Sequence, residues 1–321
     1  MTSIHRTVLL NEVIEGLNLN PKSVVVDGTF GGGGHSLEIC KRYKGVKIIA
    51  IDQDANTWRN AKDKFERLNC DITFVNANFR DLDNLKDSLN LSNFPVDGII
   101  LDLGLSSDQL EHSDRGFSFL IDEPLLMTMK ANPSSEDLTA SDIVNTWGEE
   151  NLAKIFFGYG QERFAKKIAR GIVEARKKKK IETTFDLVKV IEDAVLGIYK
   201  KGHAKGRASR LPRKLHCATK TFQALRIAVN DELGALAMGL KKGFDVLKKG
   251  GRMSVISFHS LEDRIVKRFY KQKEKEGEAK IIPARNEFHS GGNKKVILAS
   301  ENEVKSNPRA RSAKLRIISR L

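Results

Sequence analysis

No run of about 18 consecutive apolar residues occurs in this 321-residue chain, which excludes a transmembrane helix of ordinary length. The N-terminus, MTSIHRTVLLNEV, lacks the charged-then-apolar layout of a secretory signal. A cytoplasmic protein with no membrane partner is expected. Cysteine is scarce: Cys40, Cys70 and Cys217 are odd in number and widely scattered, and no CxxC or HxxxH spacing accompanies them. That pattern predicts three reduced thiols packed as small hydrophobes, with neither a disulfide framework nor a zinc site. Acid is missing from one stretch in particular. Seven Lys/Arg stand between Lys200 and Lys214 without one Asp or Glu, in KKGHAKGRASRLPRK, whose glycines and proline break any regular helix.

With 40% apolar and 30% charged residues, the chain has enough of both to bury a large core or two modest ones. Its net charge of +14 is unevenly spread. Residues 1–162 carry 15 Lys/Arg against 25 Asp/Glu, 163–226 carry 19 against 5, and 227–321 carry 21 against 11. Like charges so concentrated repel one another until something neutralises them, so a polyanion is the natural partner.

The runs SVVVDG (23–28), VKIIAID (46–52), DITFVN (71–76) and VDGIILDLG (96–104) are short, β-branched and bounded by polar turns, the pattern of buried parallel strands. Between them HSLEICKRY, ANTWRNAKDKFERL and FRDLDNLKDSLNL place apolar residues at helical spacing. The first hundred residues therefore read β-α-β-α-β-α-β, half of a doubly wound sheet. From about 106 to 245 only helical patterns occur, ending in the long stretch CATKTFQALRIAVNDELGALAMGLKKGFDVL. Strand patterns return at GGRMSVISF (250–258), KKVILAS and AKLRIISRL, with the helical SLEDRIVKRFYKQK after the first. The polar segment 273–295 has the Lys, Glu and Gly content of a mobile loop. The fold expected is α/β, a doubly wound Rossmann-like sheet with an inserted all-helical domain. The sheet domain takes 1–108 and 217–321, and the insert takes 109–216.

The first strand runs into VVVDGTFGGGGHS. Glycines after the first strand of an open α/β sheet let backbone and ligand approach closely. The stretch has no GK, fits the dinucleotide spacing G-x-G-x-x-G poorly, and puts Asp27 directly before the glycines, which disfavours a phosphate. S-adenosyl-L-methionine fits better, because it has no phosphate and carries a sulfonium and an ammonium. Asp27 and Gly31 belong to this turn. Asp52, ending the second strand, can accept hydrogen bonds from ribose hydroxyls. Phe79, after the third strand, is placed for the adenine or for the core. Asp102, ending the fourth strand in LDLGLSS, stands where an acceptor amine would be held. A base in such a pocket must be unstacked or single-stranded. RGFSF supplies Arg115, Phe117 and Phe119 for stacking and phosphate contact, with core packing the equal alternative for the two phenylalanines.

HRTVLLNEV, DGTFGGGGHS, AIDQD, DGIILDLGLSSDQL, RGFSF, QERFAKKIARGIV, TFQALRIAVNDEL, GGRMSVISFHSLEDRIVKRF and NPRARSAKLR follow one another along nearly the whole chain, and together they resemble the MraW-type methyltransferases, the family of ribosomal RNA small subunit methyltransferase H. The resemblance implies S-adenosylmethionine-dependent methylation of the N4 amine of a cytidine in 16S-type rRNA, as naked RNA or in the small ribosomal subunit. It also implies cofactor contacts by Gly33, Gly34, His35, Asp52, Phe79, Asp102 and Gln109. Lys220, Arg226, Arg264, Arg309 and Arg311 become substrate-side cations. His259, after the returning strand, should face the same edge as Asp102, with a catalytic role or a capping role open to it. The chain departs from the family where P-L-D-M-R-M-D is usual. It reads PLLMTMK, with Leu126, Thr128 and Lys130 in place of two acids and an arginine, while Cys217 replaces a proline and Gln161 an acid. Two other functions therefore stay open: methylation at a different nucleic-acid site, and a non-catalytic RNA-binding or assembly role.

Overall fold

The computed structural model describes residues 6–321 apart from 60, 69, 89–94, 107–108, 111–112, 204–215 and 284–294. Most of the basic stretch 200–214, and residues 284–294 of the polar segment, lie outside the described residues. The chain divides into two compact units, Met1–Ser106 with Leu233–Leu321, and Ser107–Glu232.

The first unit opens with α1 (Leu10–Leu17) and then alternates β1 (Val24–Asp27), α2 (Gly34–Arg42), β2 (Lys47–Asp52), α3 (Ala55–Arg59), α4 (Lys62–Glu66), β3 (Asp71–Asn76), α5 (Leu82–Ser88) and β4 (Val96–Asp102). The second unit holds α6 (Ala140–Thr146), α7 (Glu149–Gly158), α8 (Ala165–Arg176), α9 (Thr184–His203) and α10 (Thr219–Asn230). The chain returns through α11 (Glu232–Val246), β5 (Leu247–Ser257), α12 (Ser260–Lys275), β6 (Ala279–Ile282), β7 (Ile297–Leu298), α13 (Glu301–Ser306) and β8 (Lys314–Arg320). None of the described helices is long and apolar enough to cross a membrane.

The strands form one sheet in the order β3-β2-β1-β4-β5-β8-β6, with β7 also on β8. β1 to β5 are parallel, while β8 runs antiparallel to β5, β6 and β7. Successive side chains of a strand point to opposite faces, and the apolar runs use both. Val25, Ile48, Ile100, Ile256 and Ile317 bury one face with Val13, Ile14 and Leu17 of α1. Val24, Val26, Ile49, Ile99 and Val255 bury the other with Leu236, Leu240 and Phe244 of α11 and Val266 and Tyr270 of α12. Strands buried on both faces must be continuously hydrophobic, which is why they stood out in the sequence.

Four features differ from the sequence expectations. The return to the sheet comes at Leu233 rather than 217, because α10 buries Phe222, Leu225 and Ile227 within the second unit, against α6 and α7. The long helical stretch is two helices, broken where Asp231 takes a left-handed φ of 44° and caps α10. Part of the polar segment 273–295 is ordered structure: its first residues finish α12, and Ala279–Ile282 pairs with β8, burying Ala279 and Ile281. Finally, Cys40 and Cys70 are disulfide-bonded with Cα atoms 5.8 Å apart, leaving Cys217 as the free cysteine. The end of α2 and the residue before β3 meet through the crossover topology, which a separation of 30 residues in sequence does not reveal.

Within the second unit, α8 packs against α7 and α9. Its helices bury Ile143, Leu152, Phe156, Ile168, Ile172, Leu187 and Ile191. A capping box between Thr139 and Asp142 starts α6, satisfying two otherwise orphaned backbone donors.

Candidate active site

β1 is paired on one side with β2 and on the other with β4, so the direction of strand progression reverses at its carboxyl end. Such a switch point opens a crevice where ligands bind. The turn that follows is tied to both neighbours: Gly28 N–H donates to Ile100 O (2.9 Å), Phe30 N–H to Ile51 O (3.0 Å), and Asp102 N–H to Thr29 Oγ1 (2.6 Å). The turn is thus an extension of the sheet rather than a free loop.

The glycines serve different ends. Gly31 and Gly33 have left-handed φ values of 50° and 72°, which a side chain would strain. A Cβ on Gly34 would stand 1.8 Å from Thr7 Oγ1, and one on Gly33 would stand 2.4 Å from the Phe30 ring. At these two positions it is the protein's own N-terminal segment and aromatic ring that come close. A Cβ on Gly32 would meet nothing within 4 Å, and there the backbone is bare toward open space.

Three aspartates end the three central strands. Asp27 is 2% exposed and accepts from Ser36 Oγ (2.6 Å) and Thr29 N–H (3.3 Å). Burial pushes its pKa up to about 6, against those hydrogen bonds and with added repulsion from Asp52. Asp52 accepts from Gly31 N–H (2.7 Å) and Asp54 N–H (2.9 Å). A carboxylate has about four acceptor sites, so these bonds orient it without exhausting it. Asp102 is set apart by an orphan: its Oδ1 is sealed from solvent and has no hydrogen-bond partner, although the side chain as a whole is 26% exposed. Burial, then repulsion from Asp27 and Glu262, push its pKa up to about 8. A buried polar atom without a partner is costly and is at home where a ligand supplies a donor.

Several predicted residues gather round this crevice. His35 is buried, with Nε2 3.2 Å from Val8 O and Nδ1 3.9 Å from Asp102 Oδ2. Phe79 begins a 3₁₀ turn, Phe79–Asp81, capped by Asn78. Its ring packs so closely on Gly239 of α11 that a Cβ there would stand 2.3 Å away. His259 lies at the same sheet edge, since Asp102 is in register with Ile256 of β5. It is the N-cap of α12: its Nδ1 accepts from Glu262 N–H (3.4 Å), while Glu262 Oε2 accepts from the N–H groups of Phe258 (2.8 Å) and His259 (3.2 Å). His259 Nε2 stands 3.2 Å from Glu262 Oε1. Its visible work is capping. Thr29, Ser36 and Glu262, which fix or polarise the aspartates, were not singled out as site residues in the sequence, because such contacts cross strands and leave no periodic signal.

Gln109 belongs to the second unit, where it is buried and its carbonyl accepts from Ser113 Oγ (2.6 Å). Arg115, expected to hold phosphate, is 7% exposed, and its Nη1 donates to the carbonyls of Thr128, Met129 and Lys130 at 3.3, 3.0 and 3.0 Å. Asn230 completes the hold on this segment, accepting from Met129 N–H and donating to Met127 O, both at 2.7 Å. The divergent PLLMTMK segment is therefore held largely through its backbone, with the Leu126 side chain half-buried and Lys130 exposed and paired with Asp137. Phe117 is buried; Phe119 stacks on His216 at 4.8 Å and meets Phe222 edge-on at 5.5 Å. Lys220 Nζ donates to Gln161 O (2.8 Å). Arg226 is committed to a two-bond pair with Glu232 at 2.7 and 2.8 Å, not to solvent. Arg264, Arg309 and Arg311 are exposed in the first unit.

A parallel core in the order 3-2-1-4-5, a glycine turn without a phosphate-loop lysine, and carboxylates closing the three strand ends define a Rossmann-like methyltransferase. Among known proteins, the chain matches the MraW methylase family model over residues 2–321. It is 42% identical over 335 residues to ribosomal RNA small subunit methyltransferase H of Clostridioides difficile (strain 630), covering 99% of both chains. It is 43% identical over 326 residues to the protein of the same name from Brevibacillus brevis (strain 47), covering 99% of this chain and 98% of that one. A crystal structure of an rRNA methylase from Streptococcus thermophilus aligns with 98% of each chain at 9% identity and a TM-score of 0.43. The chain belongs to the MraW methylase family.

Proposed function

We propose that this chain transfers a methyl group from S-adenosylmethionine to the exocyclic N4 amine of a cytidine in small-subunit ribosomal RNA. The observation that carries the chemistry is the orphaned Oδ1 of Asp102 at the carboxyl end of β4. The residues fit the cofactor. Gly32 leaves bare backbone, Asp52 is oriented to accept ribose hydroxyls, Phe79 flanks the turn, and the acidic pair Asp27 and Asp102 suits a ligand that carries an ammonium and a sulfonium. S-adenosylmethionine, when bound, supplies an electrophilic methyl group.

The amine of cytosine is a poor nucleophile because its lone pair is delocalised into the ring. Asp102, once ionised, accepts a hydrogen bond from that amine and favours the pyramidal nitrogen whose lone pair is free to attack. The proton the nitrogen gives up on methylation passes to Asp102 or, through it, to solvent. A raised pKa suits a group that must accept a proton near neutral pH. Glu262, pinned by the α12 cap, keeps negative charge beside Asp102 and helps hold that pKa up. The rest of the acceleration is positioning of amine, methyl and leaving group. PLLMTMK departs from the family, while Asp27, Asp52 and Asp102 at the three strand ends are all present.

The test combines binding and turnover. Calorimetry with S-adenosylhomocysteine should show binding by the wild type and a loss of at least tenfold for Asp52→Ala. Label should pass from methyl-labelled S-adenosylmethionine to unmodified small subunits, and transfer should vanish in Asp102→Ala. Cofactor binding without any transfer would sink the catalytic reading and leave an RNA-binding relative.

A further inference from the structure

We propose that α12 carries a track for the RNA backbone that begins at the catalytic edge of the sheet and runs away from it along the helix. The proposal rests on the RNA reading above. Its physical basis is a separation of charges on one helix. Arg264, Lys267, Arg268, Lys271 and Lys275 are all exposed, and none of them has an ion-pair or hydrogen-bond partner among the described residues. Every other charged side chain of α12 is engaged. Glu262 closes the cap, Asp263 takes Arg316 at 2.7 Å and Lys314 at 3.4 Å, Glu274 takes Lys295 at 2.7 Å, and Lys273 is held by Glu276 and Glu278 at 3.0 and 2.7 Å.

At about 100° per residue, positions 264, 267, 268, 271 and 275 fall within an arc of roughly 100°, with no acid among them. The other side of the helix buries Val266 and Tyr270 against the sheet, beside the already engaged Glu262 and Lys273. From Arg264 to Lys275 the stripe is about 16 Å long, enough for several consecutive phosphates. Neighbours at i,i+3 and i,i+4 with the same charge destabilise a helix, and this stripe contains five such pairs. An RNA strand would remove that repulsion, whereas solvent only screens it.

The stripe also flanks a recess. A cavity of about 250 Å³ is lined by Lys267, Tyr270, Lys271, Ile281, Val296 and Arg316, with Lys295 at its side. The charges of Arg316 and Lys295 are already satisfied by Asp263 and Glu274, so the cations at its rim without an ion pair or hydrogen bond among the described residues are Lys267 and Lys271. Apolar floor and cationic rim suit the sugar and phosphate of one strand passing over it. Because α12 starts at His259, beside the strand end that carries Asp102, a strand on this track leads toward the methylation site.

The experiment uses the full chain with Arg264, Lys267, Arg268 and Lys271 all changed to Gln, and in-vitro-transcribed small-subunit rRNA as the probe, without cofactor. Each phosphate contact contributes about 0.7–0.9 to the slope of log K against log salt. The variant's slope should be shallower by roughly 3, and its Kd at about 0.1 M salt at least tenfold weaker. S-adenosylhomocysteine binding should be unchanged, and methyl transfer should show a raised KM for RNA with kcat retained. The double variant Arg264→Lys and Arg268→Lys, which keeps the charges, should retain the wild-type slope, as should Lys273→Gln, whose cation is already paired. A wild-type slope and Kd in the quadruple variant would overturn the proposal. Failure of the rRNA methylation reading would show separately, as absent label transfer by the wild type.

Discussion

Replacing Asp102 by Asn gives the most quantitative test of the site. In the folded protein its carboxyl has a pKa of about 8, against 3.8 for an unperturbed aspartate. Between those values the folded chain keeps a proton that the unfolded chain has released, so unfolding releases protons and stability falls as pH rises. The loss begins near pH 4, grows through the window and levels off above about 8. A shift of this size at about 1.36 kcal/mol per pH unit sets a ceiling of roughly 5–6 kcal/mol. With 26% of the side chain exposed, solvent screening brings the expected effect to about 2–3 kcal/mol. Asn has the same shape and no charge to bury. Without cofactor, Asp102→Asn should match the wild type near pH 4 and exceed it by about 2–3 kcal/mol at pH 8.5. In a unit of about 200 residues that corresponds to roughly 5–10 °C in Tm. Thermal unfolding of both proteins at half-unit pH steps gives the difference curve. Parallel profiles, or a variant less stable than wild type at pH 8.5, would refute the claim that burial and neighbouring acids raise this group.

With Asp102 as the proposed proton acceptor, the rate at saturating substrates should rise with pH and level off above about 8 in the wild type, while Asp102→Asn should be roughly 10²–10⁴-fold slower and lose that limb. Gly239→Ala puts a methyl 2.3 Å from the Phe79 ring; it should cost about 1–3 kcal/mol of stability and weaken cofactor binding about tenfold, read by urea unfolding and calorimetry. Arg115→Ala leaves the carbonyls of 128–130 without their shared donor, so hydrogen exchange should show lost protection over 124–130 and unfolding a loss of about 2–4 kcal/mol. Opening the Cys40–Cys70 link frees a loop of 30 residues and should cost about 3–4 kcal/mol on loop entropy. Cys40→Ser and added reductant should lower Tm equally, and a reductant effect persisting in Cys40→Ser would show that another thiol is responsible.

The sheet was legible because its strands are buried on both faces, so that VVVD, KIIAID and DGIILD read as continuous apolar runs. The acidic strand ends were legible for a related reason: Asp27, Asp52 and Asp102 each terminate such a run. What escaped the sequence was whatever depends on a partner far along the chain. Ala279–Ile282 is only four residues long, set among lysines and glutamates, and becomes a strand because β8 offers it an open edge. Asp231 looks like any helical acid until its left-handed φ divides α10 from α11. Arg115 reads as a phosphate ligand because an arginine beside phenylalanines is common in RNA sites, yet carbonyls 13 to 15 residues away claim it. The glycine run also has two meanings that the letters do not separate: Gly33 and Gly34 make room for the protein itself, while Gly32 faces open space.

The role proposed for Asp102 is to prepare a cytosine amine for methylation. Small subunits lacking the modification should be incubated with methyl-labelled S-adenosylmethionine and either the wild type or Asp102→Ala, and the RNA digested for nucleoside mass spectrometry. Label is expected in N4-methylcytidine with the wild type and none with the variant. Label in any other nucleoside, or undiminished label with Asp102→Ala, would contradict it.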